Sequence, residues 1–93
     1  FIVLFLMEAS IITPQQTINH KNIVDMVINT PNGQKHIKNS NGNVDLVKRG
    51  KIQILLRREG SDKLETVEFY VNNGVAYVEN KVINIVTDIR SVE

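Results

Sequence analysis

Acid–base or metal chemistry in this 93-residue chain would fall to two histidines, His20 and His36, and to ten carboxylates. The histidines stand 16 residues apart with no carboxylate cluster at ligand spacing, so they read as polar surface residues rather than metal ligands or general bases. The carboxylates are scattered singly, without the facing pair of a glycoside-cleaving site. Ser10, Ser40, Ser61 and Ser91 lack the strand–turn–helix setting of an activated nucleophile. With no cysteine, thiolate chemistry and disulfides are excluded. The glycines fall in turn-forming strings such as "SNGN" and "NNG", not in a phosphate-cradling loop. The chain therefore reads as a non-enzyme, without catalytic, metal or cofactor-binding residues.

One charge concentration remains, "KRGK" at 48–51 followed by Arg57 and Arg58. Arg49, Lys51 and Arg57 share one parity of an extended segment. They form a candidate interaction surface, with phosphates as one conceivable partner. A net charge of +1 and only five aromatic residues, Tyr70 and Tyr77 among them, weigh against nucleic acid. Glu65 and Glu68 on the next strand offer the cheaper explanation, cross-strand ion pairing.

The elements that would position these groups are β-rich. Val and Ile dominate the apolar set, and β-branched side chains suit a pleated sheet. From 44 to 57, Val44, Leu46, Ile52, Ile54 and Leu56 alternate with Asp45, Arg49, Lys51, Gln53 and Arg57. That pattern predicts one long half-buried strand with a bend or bulge at Gly50. "TPNG" at 30–33 predicts a turn and "NSNGN" at 39–43 a hairpin, and a short strand lies between them. Asn73-Gly74 predicts a two-residue hairpin that sets Val71 opposite Ala76, Tyr70 opposite Tyr77 and Phe69 opposite Val78. Phe69, Val71, Ala76 and Val78 then face inward, and the two tyrosines pair outside. Ile83, Ile85 and Ile89 mark a last strand.

The beginning of the chain is different. "FIVLFLM" is unbroken apolar sequence, too short for a bilayer crossing of about 20 residues. The first residue is Phe1, not Met, which suggests a fragment or processed product. The stretch reads as the tail of a membrane helix or signal peptide, or else as a buried strand or helix. Thr13, Pro14 and Gln16 carry the marks of a helix start, a cap with a capping-box partner and Pro in the first turn. A helix over 14–29 follows, or one longer helix kinked at Pro14. Val24, Met26 and Ile28 alternate, so the end of this segment also fits a strand. The expected fold class is α+β, an apolar N-terminal helix within residues 1–29 packed on an antiparallel meander of four or five strands within 30–93, as one domain.

The string "ETVEFYVNNGVAYVENKVINIVTDIRSVE", with an apolar start and Pro14 before it, resembles the end of minor pilins and pseudopilins. These are subunits of type IV and competence pili and of type II secretion. The resemblance rests on residues 64–93. It implies a structural subunit that assembles into a filament in the cell envelope or outside it, with self or homologous subunits as partners. It also implies a membrane anchor, with Phe1, Ile2, Leu4, Phe5, Leu6 and Ile12 in membrane or filament-core contact. The processing motif of that family is absent here, and Glu8 would be a costly charge inside a membrane helix. The alternative is a soluble β-rich assembly or binding domain, such as a phage or capsid component, or a small nucleic-acid-binding β-domain.

Overall fold

The computed structural model describes residues 6–37, 42–58 and 60–88. Eight strands follow one another: β1 (Met7–Ile12), β2 (Thr17–Thr30), β3 (Gly33–His36), β4 (Val44–Val47), β5 (Gly50–Arg57), β6 (Leu64–Val71), β7 (Gly74–Glu79) and β8 (Val82–Val86). The described residues contain no helix. The expected α+β class, with its helix on a short meander, is thus replaced by an all-β fold. The expectations at Phe1, Ile2, Leu4 and Phe5 lie outside the described residues.

The helix expected over 14–29 is a β-hairpin. Thr13 donates its amide to the Gln16 carbonyl at 2.9 Å, and its hydroxyl accepts from the Gln16 amide at 3.1 Å. The bonding anticipated for a helix cap closes the β1–β2 turn instead, with Ile12 opposite Thr17. Half of the fourteen residues of β2 are β-branched, which favours extended backbone. Its inward apolar residues are Ile18, then Ile23, then Met26 and Ile28. The phase slips where Asn22 takes a φ of 59° and where the β2–β5 register shifts between Ile23 and Asp25. These irregularities break the strict alternation and leave spacings that mimic a helical stripe.

The sheet order is β4-β7-β8-β1-β2-β5-β6, with β3 also on β2. Strand β2 turns the corner: its first half pairs with β1, its second half with β3 and β5. Strands β1 and β8 are parallel, with Glu8 opposite Val82 and Ile12 opposite Val86. Ile11, Ile83 and Ile85 on one wing and Met26, Ile28, Ile52 and Ile54 on the other are all fully buried in a single core cluster. An apolar sheet face needs a cover, and no described helix provides one. The two wings therefore cover each other as the layers of a sandwich.

Two expected hairpins are crossings between these layers. Among the described residues β6 pairs only with β5, whereas β7 pairs with β4 and β8, so Asn73-Gly74 joins opposite wings. Neither residue has the positive φ of a type I′ turn. The inward set is nonetheless Val71, Ala76 and Val78, all buried, with Phe69 packed against them. The long strand of 44–57 is two strands, β4 in one layer and β5 in the other. Its parity flips at the break: Val47 is buried, whereas Val44 and Leu46 are 66% and 61% exposed. Likewise β3 and β4 do not pair with each other, since β3 lies on β2 and β4 on β7.

Candidate interaction surface

The outer faces of the two layers differ in kind. On the β5–β6 side, Lys51 Nζ lies 2.8 Å from Glu68 Oε2, and Gln53 donates to the same oxygen at 3.4 Å. The hydrogen bond and charge of Glu68 raise the Lys51 ammonium above its ordinary range. The bonds from Lys51 and Gln53 hold the Glu68 carboxyl below its own. Arg57 is bound to Asp62 and donates to the Ser61 carbonyl at 3.3 Å. His36 Nδ1 sits 2.9 Å from Asp25 Oδ2 on the same side, whereas the 2.6 Å contact of Lys35 Nζ with Asp45 Oδ1 joins β3 to β4 between the layers. The charges of this side are paired internally, with Leu64 and Tyr70 exposed among them on β6.

The other outer face is apolar at one end. Leu46 on β4 stands opposite Val75 on β7, Val75 opposite Val86 on β8, and Val86 opposite Ile12 on β1. The four side chains form one row across four strands, about 15 Å long at ordinary strand spacing. Leu46 is 61% exposed, Val86 43% and Val75 37%. The next row begins with Val44 and Tyr77 and ends in polar residues, where the Ser10 hydroxyl donates to Asn19 Oδ1 at 2.7 Å. Two shallow grooves flank β4. One of about 450 Å³ is lined by Val44 and Tyr77, the other, of about 460 Å³, by Leu46, Pro31 and Gly74. Contiguous apolar rows rimmed by polar groups are what protein partners cover.

The residues singled out from sequence are dispersed by this fold. Lys51, Arg57 and Tyr70 lie on the polar face, and Arg49 in the β4–β5 link. Tyr77 is on the opposite wing, across from Val44 and Asn84, so the two tyrosines do not meet. Ile12 is half-buried in the apolar row, and Leu6 is half-buried just before β1. Sequence parity placed Val44 and Leu46 inside; the break at Gly50 was the signal that could have turned them out.

No protein-family model matches the chain, and no curated protein does. Among solved structures, it matches a chain in the cryo-EM structure of the central stalk and c-ring of the Tetrahymena thermophila mitochondrial ATP synthase. The TM-score is 0.70 at 17% identity, over 88% of this chain and 63% of that one. The chain thus spans somewhat under two thirds of the length of the chain it matches. At this identity the likeness shows a shared fold. It corrects the pilin and pseudopilin resemblance: the matched fold is not a pilin's, and residues 7–12 and 17–30 are strands. No described helix is long and apolar enough to cross a membrane, so the helical membrane anchor and the filament built on it lose their support.

Proposed function

We propose that this chain is a β-sandwich subunit, or a domain of one, that docks on a protein partner inside a multi-subunit assembly of the rotary ATP synthase stalk type. The observation that carries the reading is the fold match over 88% of the chain to a structure of such a stalk. The apolar row Leu46–Val75–Val86–Ile12 supports it, because the opposite face already satisfies its charges internally. In this reading the chain contributes a binding surface rather than a catalytic centre, and its partners are protein subunits. The paired state of Lys51 and Arg57 favours protein over nucleic acid as the partner class.

The test is native electrophoresis of gently solubilised membranes from the source cell, with the protein tagged and the gel stained for ATP hydrolysis. Co-migration of the tag with the ATP-hydrolysing band is expected. Migration of all the tagged protein away from that band overturns the reading.

A further inference from the structure

His20 is the one described residue whose side chain carries a buried nitrogen, Nε2, without a hydrogen-bond partner. It stands opposite Ala9, a core residue of β1, so its ring is on the inner face of the first half of β2. Across the core it meets Phe69, with ring centroids 5.5 Å apart and planes tilted by 58°. Phe69 belongs to β6, the last strand in the sheet order, which among the described residues pairs with β5 alone. The contact therefore spans the two layers at a side of the sandwich where no ladder between described strands joins them.

We propose that His20 is a proton-controlled latch: neutral, it holds the edge strand β6 against β2, and protonated, it releases that edge. A protonated imidazole is a donor at both nitrogens. The Nε2 proton has no acceptor where it lies, and a buried charge without a partner is expensive, so protonation works against the seat of this half-buried ring on Phe69.

Among the described residues, no charged group faces the ring from the strands around it. Ala9 and Ile11 on β1 and Val67, Phe69 and Val71 on β6 are the inner-face residues, and none titrates. Glu8, Lys21, Arg57 and Glu68 stand at outward positions. Glu65 shares the inner parity but is exposed, about 13 Å along the strand from Phe69. Burial is accordingly the only influence on the imidazole, and it lowers the pKa from the ordinary 6.5. The unfolded chain then binds more protons than the folded one between the lowered value and 6.5. Stability is complete above about 6.5 and is lost as pH falls through the folded value.

Amide hydrogen exchange across pH 7.5 to 5 tests the latch. In the wild type, protection of the β6 amides, corrected for intrinsic exchange, should fall by up to about tenfold per pH unit below 6.5 relative to His20→Phe. Equal pH dependence in the two proteins overturns the proposal. If His20→Phe does not fold, NMR titration of the wild-type imidazoles decides instead. A His20 ring that titrates below 6.5, with Phe69 shifting in step, supports the latch; titration at or above that value overturns it.

Discussion

The backbone amide of Arg49 donates to the side-chain carbonyl of Asn73 across 2.7 Å. This bond joins β4–β5 and β6–β7, two of the links at which the chain passes between layers. Two further bonds brace the second link: the Asn72 amide to the Asp88 carbonyl at 2.8 Å, and the Thr87 hydroxyl to the Asn72 carbonyl at 2.9 Å. Asn73 is thus an acceptor for a residue 24 positions away, not the centre of a local hairpin.

Asn73→Ala should therefore lower stability by about 1 kcal/mol, the ordinary worth of one hydrogen bond. Asn73→Asp keeps an acceptor oxygen and should retain most of it. Urea denaturation of the three proteins checks this. Equal stability of wild type and Asn73→Ala would show the bond to be idle.

Gly74 is required for space rather than for backbone freedom. A Cβ there would collide with the Val86 carbonyl oxygen and press on Thr87, and its φ is not in the left-handed region. Gly74→Ala should destabilise by about 2 kcal/mol or more, because β7 and β8 would have to separate locally. Thermal unfolding measures the loss. A melting temperature unchanged within error would mean the two strands part more easily than their ladder suggests.

The sequence showed what faces the core better than it showed what pairs with what. Alternation at Phe69, Val71, Ala76 and Val78 identified the inward side correctly, because burial acts on each side chain separately. Strand pairing depends on where the chain goes after a turn, and Asn73-Gly74 reads the same for a hairpin as for a crossing between layers. The N-terminal strands were hidden for a different reason. The slips at Asn22 and at Ile23–Asp25 break the two-residue period that identifies a strand. The apolar row was hidden by the parity flip at Gly50, which moved Val44 and Leu46 from the expected core to the surface. The parallel β1–β8 pair, formed by strands at opposite ends of the described chain, leaves no local signal at all.

The Lys51–Glu68 pair should be visible in the acid limb of stability. The folded-state carboxyl of Glu68 is held below its ordinary 4.5, so its contribution is complete above that pH and lost as pH falls through the lowered value. Glu68→Gln should flatten the stability–pH curve below 4.5 and leave it unchanged near 7 apart from a constant offset. Because the pair is exposed, added salt should shrink the difference. Denaturation midpoints from pH 2.5 to 7 at low and high salt provide the measurement. An identical acid limb in both proteins would mean that the pair does not survive in solution.

Substitution in the apolar row separates assembly from folding. Leu46 and Val86 point outward, 61% and 43% exposed, so Leu46→Glu and Val86→Lys should each change stability by no more than about 1 kcal/mol. If the row is a docking surface, the same changes set a charge within a contact that excludes water. There a charge without a partner is costly, and binding should weaken by tenfold or more. Thr66→Glu, on the opposite and already polar face, is the matched control for added charge. The readout is the share of tagged protein that co-migrates with the ATP-hydrolysing complex, compared with the melting temperature of the purified variant. Loss of co-migration in Leu46→Glu and Val86→Lys at unchanged melting temperature, with Thr66→Glu unaffected, is the expected pattern. Full retention of both row variants in the complex would mean that the partner is held elsewhere and that the exposed row is incidental.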